Sequence, residues 1–171
     1  MKVRVMDIPD EGMSLDIDMT VKMEGVETRG PVKGRIYLQR NGTEVMVSGH
    51  TGVLLGFQCG LCLTEFTSEL SLDLNLLYCP QRALETEDSV ELTRGEMDLC
   101  LYSGDEIDIT ALLQEQIILN ISISAVCSDT CRGLCPGCGI NLNTESCNCK
   151  RVHEQERFFK LKDLLTKVKT N

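Results

Sequence analysis

The sequence contains no tryptophan, three tyrosines and four phenylalanines. A chain this poor in aromatic rings lacks the platforms on which RNA-reading proteins stack their bases. Histidine is scarcer still. With only His50 and His153, and no glycine-rich phosphate loop, no hydrolase or transferase constellation can be assembled. His50 reads as a turn residue and His153 as part of a basic helix, both structural or solvated. No apolar run reaches 18 residues, and the start, Met1-Lys2-Val3-Arg4-Val5-Met6-Asp7, has no apolar core of a secretory signal. The expectation is a cytoplasmic chain without membrane contact, where thiols stay reduced. Positive charge is short as well: 17 basic against 26 acidic side chains give a net charge of −9. The shortage is local. Residues 1–149 carry 10 basic and 23 acidic side chains (−13), while residues 150–171 carry 7 and 3 (+4). The acidic body repels phosphate, so any RNA contact falls on a narrow basic patch: Arg132, Lys150, Arg151, Arg157, Lys160 and Lys162.

What the chain has in quantity is cysteine, ten of its 171 residues. Six crowd into the stretch Cys127-Ser-Asp-Thr-Cys131-Arg-Gly-Leu-Cys135-Pro-Gly-Cys138, closed by Cys147 and Cys149. In a reducing cell such crowding points to metal ligands rather than disulfides. Zinc takes four tetrahedral thiolates in structural sites. Cys135-Pro136-Gly137-Cys138-Gly139 reads as a zinc knuckle, whose glycines let backbone amides approach the sulfurs, and Cys147 and Cys149 complete its tetrahedron. Six ligands are too many for one tetrahedral ion and too few for two. A distant Cys59-Gly60-Leu61-Cys62 balances the count, giving a second set of Cys59, Cys62, Cys127 and Cys131 and two zinc ions per chain. Cys79 and Cys100 are left over as free buried thiols.

Along the chain, residues 15–23 alternate apolar and polar and predict a half-buried strand. Val32–Arg40 and Thr43–Gly49 flank Asn41-Gly42, the signature of a hairpin with a type I′ turn. Gly52–Phe57 predicts a short strand into Cys59, and the alternation from Phe66 to Tyr78 predicts a long one out of it, which puts the first CxxC at a hairpin tip. Residues 81–96 form an acidic connector, and Met97–Tyr102 a short strand. Asp108 is a candidate N-cap for a helix near 108–119 with Ile109, Leu112, Leu113, Gln116 and Ile117 on one face. Leu119, Ile121 and Ile123 then alternate toward Cys127. Residues 151–169 predict a basic C-terminal helix with Phe158, Leu161, Leu164, Leu165 and Val168 as its apolar stripe. The reading is one α+β domain: a β-rich body at 1–126, a zinc-binding block at 127–149 and a helix at 150–171. The body is an antiparallel sheet or partly open barrel of about five to seven strands packed by one helix.

The first CxxC with its following Leu63, the 108–119 helix and the run Gly-Leu-Cys-Pro-x-Cys-Gly-x-Asn-Leu-Asn at 133–143 together resemble the YceD family, the large ribosomal RNA subunit accumulation proteins. The resemblance covers roughly residues 50–169. It implies a non-enzymatic role in accumulating large-subunit ribosomal RNA, with a ribosomal protein or a large-subunit precursor particle as partner. Many members carry arginine before the second cysteine of the first CxxC, where this chain has Leu61. The acidic body shapes the implied role into contact chiefly with protein. Two other classes stand beside it. One is a zinc-ribbon interaction module of a transcription or enzyme complex. The other is a thiol redox protein built on Cys59 and Cys62, against which stands the lack of a helix after the motif.

Overall fold

The computed structural model describes residues 1–81 and 99–149. The acidic connector, apart from Gln81, and the C-terminal helix with Lys150, Arg151, Arg157, Lys160 and Lys162 lie outside the described residues. The chain divides into two compact units. The first comprises Met1–Phe57 and Phe66–Ile123, and the second Gln58–Glu65 with the chain from Ser124 onward.

The first unit is mostly β-sheet with a single described helix. Its strands are β1 (Lys2–Arg4), β2 (Met13–Met19), β3 (Glu27–Thr28), β4 (Val32–Asn41), β5 (Glu44–Gln58), β6 (Glu65–Pro80), β7 (Leu99–Tyr102) and β8 (Glu106–Asp108), followed by α1 (Ile109–Asn120); the outermost residues of the β5–β6 hairpin reach into the second unit. Six strands make the main sheet in the order β2-β4-β5-β6-β7, with β3 on β5, while β1 and β8 pair separately. The path runs from β2 to β7 without closing into a barrel. The antiparallel expectation holds at β1–β8, β2–β4, β3–β5 and β4–β5, but β7 lies parallel to β6, with Leu77 opposite Leu99. A parallel neighbour needs a connection of about a dozen residues or more, and segment 81–98 supplies that length.

Local chemistry explains most of the elements and corrects four expectations. The β4–β5 register pairs Asn41 with Glu44, so the turn is Gly42-Thr43, not Asn41-Gly42. Only Gly42 takes positive φ, +63°, which is the pattern of a type II′ turn rather than I′. The predicted breaks around residues 49–52 are absent, because β5 runs unbroken for 15 residues. Gly49 (φ +149°) and, on β4, Gly34 (φ +155°) let the two strands cross closely: a Cβ at Gly34 would strike the His50 carbonyl oxygen, and one at Gly49 the Arg35 carbonyl oxygen. His50 therefore sits in mid-strand, 2.7 Å from Asp73 across the sheet, not in a turn. Strand β2 stops at Met19, short of the expected residue 23.

Helix α1 begins where expected. The Asp108 carboxylate accepts the N–H groups of Thr110 (2.9 Å) and Ala111 (3.3 Å), satisfying two donors that the first turn leaves unpaired. Burial alone would raise the Asp108 pKa, but those amides and the N-terminal ammonium outweigh it and lower it. Ile109, Leu112, Leu113 and Ile117 are buried, joining Ile36, Leu38, Leu55, Leu72 and Ile107 in one apolar core. Beyond Asn120 the predicted alternation does not become a strand: Leu119 is still in the last turn of the helix and exposed, and Ile123 is fully exposed. No described helix is long and apolar enough to cross a membrane.

Candidate metal centres

The second unit starts at the tip of the β5–β6 hairpin. The Leu63 N–H donates to the Cys59 carbonyl (2.9 Å) and the Cys59 N–H to the Thr64 carbonyl (3.0 Å). These bonds fold the tip into a tight turn with Leu63 at φ +59°. The downstream chain is laced to it. Gly60 N–H bonds the Ala125 carbonyl, and Leu134 N–H the Leu61 carbonyl, each at 3.0 Å. Residues 59 and 131 thus come together across 72 positions, their sulfurs 3.9 Å apart. Cys62 and Cys127 lie 3.6 Å apart. The four sulfurs of Cys59, Cys62, Cys127 and Cys131 all fall within 4.8 Å of one another.

Cys135, Cys138, Cys147 and Cys149 meet the same criterion, with Cys135 and Cys147 at 3.3 Å. Here the turn is built from nearby residues alone: Gly139 N–H donates to the Cys135 carbonyl and Cys135 N–H to the Ile140 carbonyl, both at 2.8 Å. Four ligands on 2.3 Å bonds place tetrahedral sulfurs about 3.8 Å apart. The observed separations bracket that value, so both sets can hold a metal ion. None of the ten cysteines forms a disulfide. Cys79 and Cys100 sit on β6 and β7, outside both sets, and burial pushes the Cys79 thiol up.

The amides around the sulfurs have the polarity that thiolates require. Cys127 N–H points at Cys59 Sγ and Gly137 N–H at Cys135 Sγ, each at 3.4 Å. The Cys59 thiol is lowered to about 6, first by the Cys127 amide and then by that of Cys62. Cys135 is lowered to about 6 by the amides of Cys138 and Gly137. Thr64 lowers Cys62, by its side chain first and then its amide; the Cys62 sulfur lies 3.4 Å from Thr64 Oγ1, which also accepts from Asn141 Nδ2 at 3.0 Å. Two other thiols move up to about 12: Cys127, its proton held chiefly by Cys62 and then Cys131, and Cys149, held by Cys138. Cys147 rises too; the Cys149 amide works downward, but the Cys135 sulfur and burial prevail. Each set therefore combines a ready thiolate with sulfurs that share protons, the places a divalent cation takes over on binding.

Two residues that the cysteine spacing does not reveal support the first set. Asn143 Nδ2 donates to Cys131 Sγ (3.3 Å) and to Asn141 Oδ1 (2.9 Å). Its own Oδ1 receives the Arg132 N–H at 2.8 Å. Asn141 and Asn143 thus brace the first set, one through Thr64 beside Cys62 and the other at Cys131. The signal was present as an Asn-x-Asn pair, since asparagine readily bonds backbone two residues away. Arg132, predicted for RNA or partner contact, is exposed. A low thiol pKa suits a redox cysteine as well as a ligand, but Cys59 is fully buried and three further sulfurs crowd its set.

An open mixed sheet with two four-sulfur sets, each able to hold a metal ion, defines a β-protein with two candidate metal centres. The chain belongs to the YceD family: the model described as "Large ribosomal RNA subunit accumulation protein YceD" matches residues 47–165. It is similar to the chloroplastic large ribosomal RNA subunit accumulation protein YCED homolog 1 of Zea mays, 27% identical over 154 residues, covering 77% of this chain and 53% of the relative. The homologue of that name in Arabidopsis thaliana is 37% identical over 59 residues, 34% of this chain and 18% of its own. An uncharacterised protein of Mycobacterium tuberculosis is 27% identical over 160 residues, 91% of this chain and 64% of that one. The chain thus spans about half the length of the maize relative. No solved structure matches it.

Proposed function

We propose that this protein is a non-enzymatic factor supporting accumulation of large-subunit ribosomal RNA, acting through contacts with a ribosomal protein or a large-subunit precursor particle. Family membership carries the ribosomal part, because the matching model is described by that role. The mode follows from charge. A stretch of 149 residues at −13 suits basic proteins and repels phosphate. RNA contact is then local, at exposed Arg132 and at Lys150, Arg151, Arg157, Lys160 and Lys162. Two zinc ions occupy the cysteine sets, Cys59, Cys62, Cys127 and Cys131 holding one and Cys135, Cys138, Cys147 and Cys149 the other. Bound zinc supplies a structural cross-link there, and the amides of Cys127 and Gly137 with the Asn143 side chain orient the sulfurs. Thiols kept as ligands belong in a reducing compartment, and we place the chain in the cytoplasm.

Depleting the protein from growing cells and quantifying large- against small-subunit ribosomal RNA tests the role. The expected result is a fall in that ratio, and an unchanged ratio overturns the proposal. Mass spectrometry of the native protein, with about two zinc expected per chain, tests the cofactor.

A further inference from the structure

The two cysteine turns have the same build and different side chains. In Cys59-Gly60-Leu61-Cys62-Leu63 and in Cys135-Pro136-Gly137-Cys138-Gly139 the fifth residue donates its N–H to the carbonyl of the first, at 2.9 and 2.8 Å. In both, that fifth residue is left-handed, at φ +59° and +75°. Glycine adopts this conformation freely and leucine only at a cost. The second turn places Gly137 and Gly139 at its third and fifth positions. The first places Leu61 and Leu63 there, 50% and 54% exposed. Leu63 thus bears backbone strain without burying its side chain. Strain that local packing does not repay is a mark of function.

The leucines are also held rigid. The Leu61 carbonyl is tied to Leu134, and Gly133 (φ +70°) passes so close that a Cβ there would sit 3.1 Å from it. Ala125, bonded to Gly60, brings Val126 to the same turn, and Val126 is exposed too. The described charges of this unit are the carboxylates of Glu65, Asp129 and Glu145 against the guanidinium of Arg132. A zinc held by four thiolates would add a net −2 at each set. The apolar tip thus belongs to a unit whose described side chains are net acidic.

We propose that Leu61 and Leu63, with Val126, form a preorganised anchor for a lysine- or arginine-rich protein segment that brings an apolar side chain to the tip. The proposal rests on the ribosomal reading and names the contact through which it acts. RNA is disfavoured at the leucines themselves, since the tip offers no aromatic ring for a base to stack on.

The swap Leu61→Gly/Leu63→Gly gives the first turn the glycines of the second. It relieves strain, so zinc content and melting temperature should hold or rise. Binding is measured in the full zinc-loaded chain against each purified protein of the large ribosomal subunit. At least one should bind the wild type, lose about tenfold or more in affinity with the swap, and weaken as salt is raised. Equal affinity for wild type and swap overturns the proposal, as does wild-type binding to none of these proteins. A swap that exposes residues 150–171 to protease while leaving affinity intact also overturns it, because the leucines then serve their own chain. Depletion that leaves the ribosomal RNA ratio unchanged, with the swap still weakening binding, sinks the ribosomal role and spares the anchor.

Discussion

The two units solve the problem of staying folded with different physics. The first buries aliphatic side chains from strands and helix in one apolar core. In the second, the buried residues among those described are Cys59, Cys62, Gly133 and Cys135, and no aliphatic side chain is buried. Its described part is shorter than the ~40 residues below which a hydrophobic core rarely suffices. Under the zinc reading proposed above, metal-held sulfur does there what leucine does in the sheet. The contrast then predicts two stabilising devices in one chain, each with its own point of failure.

Metal removal should split the units most sharply. Structural zinc contributes about 10–16 kcal/mol in small domains, on the order of a whole domain's net stability. Under a strong chelator we expect the amides of Leu63, Leu134, Cys135 and Gly139 to lose hydrogen-exchange protection, while those of β4 and β5 keep theirs. Loss in both places breaks the comparison and makes the chain one cooperative unit. The reverse flow at pH 7 is proton release: Cys127, Cys147 and Cys149, all raised, should surrender protons on zinc loading. Calorimetry in buffers of different ionisation enthalpy reads that release.

Next in size is the converse experiment. Leu113, with no exposure, is replaced by alanine at an expected cost of about 2–5 kcal/mol in denaturant unfolding, with zinc content unchanged. Zinc loss in that variant would show that the sheet supports the metal sets.

The smallest effect belongs to the helix cap. Asp108→Ala should cost about 1 kcal/mol and leave the second unit untouched. Because the folded Asp108 pKa is lowered, its stabilisation is complete above the ordinary carboxylate value near ~3.9 and fades as pH falls through the folded pKa. Wild type and variant should therefore converge in strong acid; a gap that persists there removes the cap as its cause.

Much of this was legible from residues alone. Spacing marked out one set of four cysteines and elimination the other, because a tetrahedral ion counts to four, and Asp108 announced its helix because short polar side chains cap exposed amides. The hairpin register was missed by one residue, since Asn41-Gly42 and Gly42-Thr43 are both workable turns and strand pairing decides between them. The parallel β6–β7 pair was invisible, for a four-residue strand carries no mark of its partner's direction. The unbroken β5 hid behind Gly49, which reads as punctuation but in fact lets two strands touch. Asn141 and Asn143 needed three dimensions to be seen as supports of the Cys59–Cys131 sulfur set.

The wide separation of Cys59 from Cys131 gives the protein a timetable as it leaves the ribosome. The Cys135–Cys149 set is completed within one short stretch of synthesis, whereas the thiols of 59 and 62 emerge early and wait for most of the chain to follow. During that interval they are an unpaired claw, open to the wrong ion or to an oxidant. Newly made protein should accordingly be more vulnerable to thiol-reactive agents than the finished molecule.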